Sequence, residues 1–170
     1  MAQVSMEVLG DERGTLLSFV ESQRTALRES LLGLTEEQAA SRPSASELSL
    51  SGLVKHAAEV ELNWLRMAQQ KPNERYQGER NWEDGFRLIE GESIPSVLAF
   101  WEDVARQTAD FITGVPSLDQ VFPLPPAPWF PKDAKVSMRW MLLHLVEEFA
   151  RHAGHADIVR ESIDGTKAMG

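Results

Sequence analysis

Apolar residues recur at intervals of three and four in four stretches of the chain, a spacing that is typical of amphipathic α-helices. Serine precedes three of these stretches at the position of an N-cap, and glycine follows the last of them, where a helix end is expected. The predicted helices run from Asp11 to Leu34, over the segment SLSGLVKHAAEVELNWLRMAQQ with Ser49 or Ser51 as N-cap, from Ile94 to Ile112 after Ser93, and from the N-cap Ser137 to Gly165.

The segments between these helices are long and follow no apolar period. Thr35 and Gln38 have the spacing of a capping box and predict a short helix directly after the first long one. The polar stretch from Lys71 to Gly91 is interpreted as a loop, with a helical turn near Trp82 to Leu88. The segment FPLPPAPWFPKDAK contains five prolines in fourteen residues, which excludes an ordered helix or a central strand.

The absence of a β-hairpin signal and of a solenoid repeat decides the fold class. The pattern predicts an all-α protein, a four-helix bundle with long connecting loops. Its 170 residues are an ordinary length for one hydrophobic core, so residues 1–170 are expected to form a single domain. Hydrophobic residues make up 42% and charged residues 25% of the chain, which is the balance of a globular protein.

The chain is acidic, with a formal charge of −9 and an isoelectric point near 4.9. Because nucleic-acid binding depends on basic residues that neutralise phosphates, a nucleic-acid partner is not expected. No apolar run reaches the roughly 20 residues that cross a bilayer, and the N-terminus MAQVSMEVLGDERG lacks the pattern of a secretory leader. We therefore expect a cytoplasmic protein that does not act at a membrane.

Cysteine is absent, so a bound metal would have to be held by nitrogen and oxygen. At 100° per residue, one narrow stripe of the last predicted helix contains His144, Glu148, His152 and His155. Glu148 and His152 are one turn apart, so both can reach a single ion. The remaining histidine, His56, lies on the inward stripe of the second predicted helix, where an unpaired imidazole would be costly to bury.

The spacing of these residues leaves two interpretations open. Two histidines and one carboxylate would leave coordination positions free for water or a substrate, as catalytic zinc, nickel or ferrous sites require. In the simpler interpretation, the buried histidine is hydrogen-bonded in the core and the stripe is a solvated face. Trp129 in the proline-rich segment is equally open, since it could plug the bundle or line a substrate pocket.

Two segments, KHAAEVELNWL and VSMRWMLLHLVEEFARHAGHADIVRESIDG, resemble the two characteristic helices of the DinB-like superfamily, in a branch of unknown function. The resemblance covers essentially the whole chain. In the wider superfamily, a histidine on the second helix and two residues four apart on the last helix, usually both histidines, hold a divalent metal. Glu148 stands at the first of that pair here, which is similar to the N-terminal domain of mycothiol-dependent maleylpyruvate isomerase with its His, Glu and His.

The resemblance implies that His56, Glu148 and His152 hold a divalent metal, with zinc as the first expectation and nickel or iron as alternatives. It gives no ligand role to the other two histidines. His155 is therefore expected beside the ligands or in the pocket, and His144 is expected to line the pocket. Trp129 would also line the pocket, in the second of the two interpretations given above.

Members of the superfamily with demonstrated activity are mostly thiol-dependent, among them S-transferases that use mycothiol, bacillithiol or glutathione. The resemblance therefore implies an enzyme that activates a low-molecular-weight thiol, of the mycothiol type, toward a small electrophilic substrate. A metal-dependent hydrolase and a non-catalytic bundle that binds a metal or a small ligand are the alternatives. A homodimer is a further expectation at the level of the family.

Overall fold

The computed structural model describes residues 10–76 and 81–167, which are folded mainly into α-helices. The helices are α1 (Glu12–Glu29), α2 (Glu36–Ala40), α3 (Leu50–Gln69), α4 (Ile94–Gly114) and α5 (Met138–Asp164). The remaining elements are the strands β1 (Val121–Pro123) and β2 (Lys135–Ser137) and the 3₁₀ turns Glu74–Tyr76 and Trp82–Phe86. The N-terminal residues 1–9, for which the sequence predicts no leader, lie outside the described residues.

Each long helix begins after a residue whose side chain accepts a hydrogen bond from a backbone N–H of the first turn. These N-caps are Asp11, Ser49, Ser93 and Ser137. The three predicted serine caps are thus confirmed, with Ser49 rather than Ser51 at the start of α3. Gly165 follows α5 in the left-handed conformation, with a φ of 76°, which is the conformation that glycine adopts readily after a helix.

The four long helices pack around one apolar core, which confirms the predicted all-α bundle. α1 packs mainly on α5 and α3 mainly on α4, while α3 and α5 also face each other. Trp101 of α4 and Phe149 of α5 are among the largest fully buried side chains, and their rings meet edge to face at 5.6 Å. None of the described helices is long and apolar enough to span a bilayer. The assignment of residues 1–170 to a single domain stays a prediction.

The end of α1 differs from the predicted one. The helix stops at Glu29 rather than at Leu34, because the chain turns over the next residues and Gly33 adopts a φ of 76°, which does not continue a helix. The capping box predicted directly afterwards is present, since the side chains of Thr35 and Gln38 each accept a hydrogen bond from the other residue's backbone N–H.

Farther along the chain the predicted elements are found with small shifts. α4 runs to Gly114, two residues past the predicted end at Ile112. The helical turn predicted near Trp82 to Leu88 is the 3₁₀ turn Trp82–Phe86, whose first turn is capped by the Asn81 side chain.

The proline-rich connection between α4 and α5 is closed at its base by a strand pair that the sequence analysis did not predict. β1 and β2 are antiparallel, with Phe122 opposite Val136. Strands of three residues are too short to show an apolar period, and residues 124–134 form too long a connection for a tight hairpin turn. The expectation of no hairpin was therefore wrong here. The exclusion of a central strand from the proline-rich segment holds, because β1, which contains Pro123, belongs to a sheet of two strands and both of these are edge strands.

A buried carboxylate joins three of the four long helices. Glu61 of α3 is fully buried and accepts hydrogen bonds from two nitrogens of the Arg24 guanidinium of α1, one of them Nε at 2.9 Å. It accepts a third from the indole N–H of Trp101 in α4 at 2.8 Å. Because two buried charges and an indole are satisfied together only in one arrangement, this network fixes α1, α3 and α4 relative to one another.

We expect Glu61→Gln to lower the free energy of unfolding by about 3–5 kcal/mol, because the buried Arg24 guanidinium would keep only the half-exposed Glu21 as a counter-charge. Urea unfolding followed by circular dichroism measures the change. Glu147→Gln is the control, since Glu147 pairs with Arg151 at 2.7 Å on the exposed side of α5. The control should lose less than about 1 kcal/mol, and equal losses in the two variants would contradict the role given to the buried network.

Candidate metal centre

α3 and α5 bring three polar side chains together on the faces that they share. Nε2 of His56 lies 3.1 Å from Oε1 of Glu148, and Nε2 of His152 lies 3.1 Å from the same oxygen. The two imidazole rings meet edge to face, with 4.9 Å between their centroids. One residue of α3 and two residues one turn apart in α5 therefore converge on a single point.

The three side chains are largely withdrawn from solvent. Their exposed fractions are 11% for His56, 17% for Glu148 and 12% for His152. The three polar groups therefore meet in a region from which most water is excluded.

Glu148 carries the negative charge of this group. Hydrogen bonds from His152 and from His56 hold the pKa of Glu148 well below its usual range, and burial opposes this effect only in part. The carboxyl is therefore ionised at any pH that a cell maintains. A fixed negative charge between two imidazole nitrogens is an environment that favours a bound cation.

The chemistry and spacing of the donors fit a divalent metal ion. The three ligand atoms, two imidazole nitrogens and one carboxylate oxygen, lie within 4.8 Å of one another. Two ligands about 2.0–2.1 Å from a tetrahedral zinc ion are about 3.3 Å apart, close to the 3.1 Å between each nitrogen and Oε1. Three protein ligands leave a fourth tetrahedral position for an exogenous ligand.

A cleft of about 340 Å³ opens beside His56. Its lining is mostly apolar and includes five large aromatic side chains, those of Trp64, Trp82, Phe86, Trp129 and Phe130. The polar side chains in the described lining are those of His56, Glu59 and Asn63. This volume lies at the lower end of the range for small-molecule sites, so the cleft can admit a small substrate next to the candidate centre.

Trp129 forms part of the outer wall of this cleft. Its side chain is 75% exposed, and its ring lies 6.2 Å from that of Phe130, which in turn meets Trp64 at 6.3 Å. Of the two alternatives that the sequence left open, the structure has Trp129 lining a pocket rather than plugging the bundle. Its contact with a substrate or cofactor stays a prediction.

The other two histidines of the α5 stripe lie outside the group of three. Nδ1 of His155 is 3.5 Å from Nδ1 of His152, on the other side of the ring from Nε2. His155 is thus placed to orient the His152 ring. His144 stacks on Trp140 at 5.1 Å, meets Trp64 edge to face at 4.7 Å, and is not among the described residues that line the cleft.

Phe86 is a residue of the centre that the sequence analysis missed. Its ring stacks on the His56 imidazole, with 4.1 Å between the centroids and 18° between the planes. Gly52 permits this approach, because a Cβ at that position would lie 2.0 Å from the carbonyl oxygen of Phe86. Glycine is unfavourable within a helix, so the glycine of SGLVKH was a local signal that another segment comes close.

Ion pairs fasten the loop that carries Phe86 to α3. The buried Lys55 ammonium donates to the carbonyl oxygen of Arg87 at 3.0 Å and to the Glu92 carboxylate at 2.6 Å. Arg75 pairs with Glu59 at 3.3 Å and with Glu92 at 2.9 Å. The position of this wall of the cleft therefore does not depend on aromatic contacts alone.

A helical bundle in which two histidines and a carboxylate converge beside an aromatic cleft belongs to the class of proteins that can hold a metal next to a small molecule. Comparison with known proteins gives the family: the model described as mycothiol S-transferase matches residues 15–165. The chain belongs to the mycothiol S-transferase family, which is of the DinB-like type.

One solved structure, titled "Crystal structure of the conserved protein of locus from Enterococcus faecalis", is similar in fold. It has a TM-score of 0.69 and 14% sequence identity, and the match covers 95% of this chain and 100% of that one. At this identity the likeness concerns the fold alone. The comparison with curated proteins finds no match.

Burial lowers the pKa of His144 below its usual value of 6.5, although Glu148 and Glu147 oppose the shift. The unfolded chain therefore takes up this proton first as the pH falls, and folding stability decreases from about pH 7 downwards until the folded value is passed. We expect His144→Phe, which keeps a ring against Trp140, to lose less stability than the wild type between about pH 7.5 and about pH 5.5.

Free energies of unfolding in urea at the two pH values test this expectation, with a chelator present so that metal release does not contribute. The wild type is the reference, since the variant retains the other three histidines. An equal loss of stability in both proteins would show that the pH dependence arises elsewhere.

Proposed function

We propose that this protein is a metal-dependent S-transferase that joins a low-molecular-weight thiol, of the mycothiol type, to a small electrophile. The proposal is carried by the convergence of His56, Glu148 and His152 beside a cleft of substrate size. Membership of the mycothiol S-transferase family supports the choice of a thiol as the cosubstrate.

The sulfur in this reaction has to come from the cosubstrate, because the chain has no cysteine. In the proposed step the thiol loses its proton to solvent, and its sulfur forms a bond to an electrophilic carbon. A leaving group departs from that carbon with the electron pair of the broken bond. A divalent ion in the His, Glu and His set would make the thiol acidic enough to react as thiolate near neutral pH.

The residues of the chain would hold and shield the centre. His56 and His152 would hold the ion through Nε2 and Glu148 through Oε1, and His155 is placed to fix the orientation of the His152 ring. Phe86 covers one face of the His56 imidazole and excludes water from it. We propose zinc as the metal, with nickel and iron as alternatives, since histidine and carboxylate ligands accept all three.

Two other functions start from the same ligands. A metal-dependent hydrolase would place water at the open position, and a non-catalytic bundle would bind a metal or small ligand without turnover. A fourth protein ligand would favour binding alone. The two remaining histidines do not supply one in the described structure, because His155 approaches the far side of the His152 ring and His144 packs against tryptophans. A set of three protein ligands, which leaves a coordination position for a substrate, favours catalysis.

We also propose a cytoplasmic location, because thiol chemistry of this kind needs a compartment in which thiols are kept reduced. A homodimer is proposed from the family alone. The net charge of −9 gives no support to a nucleic-acid partner.

We expect the untagged protein to hold close to one equivalent of divalent metal, and Glu148→Gln to hold far less, because a neutral amide no longer balances the charge of the ion. Plasma mass spectrometry after equal exposure to zinc, nickel, iron and manganese measures the content. Glu147→Gln is the matched control, since the adjacent glutamate pairs with Arg151 at the surface. Wild-type protein without metal would leave a hydrogen-bonded cluster and end the proposal.

Metal-loaded protein should consume a thiol and an electrophile in equal amounts, and Glu148→Gln should lower the rate by at least about 100-fold because the thiol is no longer activated. Mycothiol, bacillithiol and glutathione are tested in turn, with product masses determined for each. Glu147→Gln should keep the wild-type rate. Breakdown of the electrophile without thiol would indicate a hydrolase, and a metal-loaded protein that consumes neither compound would indicate the binding function.

A further inference from the structure

A series of aromatic rings leads from the surface to the candidate centre along one wall of the cleft. Trp82 is 73% exposed, and its ring lies 6.0 Å from that of Phe86. Phe86 stacks at 4.1 Å on His56, whose Nε2 belongs to the candidate ligand set. This wall therefore ends at the position where the chemistry is proposed to occur.

A second series of rings forms another wall of the same cleft. It begins at Trp129, which is 75% exposed, and passes through Phe130 to the buried Trp64 of α3. Both series line the cleft beside His56. Each begins at a tryptophan in a connection between helices and ends at an aromatic residue of α3.

Trp82 and Trp129 are the two most exposed large apolar side chains in the described part of the chain. A single exposed apolar residue on a protein surface needs no explanation, whereas apolar side chains grouped at one concave site indicate a binding surface. Tryptophan offers a large flat area for such contacts, with few rotatable bonds to immobilise. The two tryptophans are thus placed to enclose a ligand that enters the cleft.

The charges around the cleft limit which ligand this can be. Its described lining contains no lysine or arginine, and its one carboxylate, Glu59, is 5% exposed and paired with Arg75. In the metal-free protein, an anionic group would therefore lose its hydration without gaining a counter-charge from the described lining. Flat apolar walls and a volume of about 340 Å³ suit one ring or two fused rings without charge.

We propose that the cleft binds a neutral, planar, apolar group between the walls of Trp82 and Trp129, and that this group is part of the electrophilic substrate, with its reactive carbon directed at His56. The identification of the ligand as the electrophile rests on the proposed function. The binding of a neutral planar group is independent of that function, because it requires neither metal nor thiol.

Isothermal calorimetry with 2-naphthalenemethanol as the neutral planar probe tests the binding directly on the full chain, with a chelator present so that no probe can bind through a metal ion. Trp82→Ser and Trp129→Ser should each weaken its binding by about three- to tenfold, because each removes one aromatic contact. 2-Naphthoate, which has the same rings and a negative charge, and the non-planar cyclohexylmethanol should bind at least about tenfold more weakly to the wild type.

Ile158→Ser is the matched control for loss of an exposed apolar side chain, since Ile158 is 61% exposed and does not line the cleft. It should bind the probe as the wild type does, and thermal unfolding should show that all three variants are folded. Failure of the probe to bind, or equal affinities in Trp129→Ser and Ile158→Ser, would overturn the inference. Binding that depends on both tryptophans would support it even in a protein without thiol turnover, so the two proposals can fail separately.

Discussion

The arrangement of the helices depends on the carboxylate of Glu61. This side chain has no exposure to solvent, and its hydrogen bonds come from Arg24 of α1 and Trp101 of α4. Apolar contacts alone tolerate small rotations and shifts of a helix, because they have little directionality. Hydrogen bonds to a buried charge do not tolerate such movements, since a displaced helix would leave that charge unpaired in a medium of low dielectric constant. The network therefore fixes the positions of α1, α3 and α4 relative to one another more narrowly than apolar contacts alone would.

The same packing directs the candidate ligands toward each other. Trp101, which donates to Glu61, also packs its ring against Phe149 in α5. Phe149 is fully buried in the core, and Glu148 precedes it by one residue, which turns the glutamate by about 100° around the helix axis. That rotation places the carboxylate opposite α3, where His56 lies. A contact in the core and a contact at the centre are thus consequences of the same helix orientation.

The parts of the site that could be predicted from the sequence are those set by helical periodicity. Glu148 and His152 are one turn apart wherever the helix is placed, and the inward stripe of α3 identifies His56. Phe86 could not be predicted, because its position depends on ion pairs such as that between Lys55 and Glu92, which are distant in sequence. The strands β1 and β2 were not predicted either, because three residues are too few to show an apolar period.

The centre is divided between a constrained part and a variable part. The three candidate ligands lie on α3 and α5, whose orientations the core determines, whereas Trp82 and Trp129 lie in connections outside the helices. A substitution in either connection can reshape the cleft without moving the ligands. The bundle itself accommodates very different sequences, as the structural neighbour with 14% identity demonstrates. Membership of the mycothiol S-transferase family therefore supports the proposed thiol, whereas the proposed electrophile rests on the residues of these two connections.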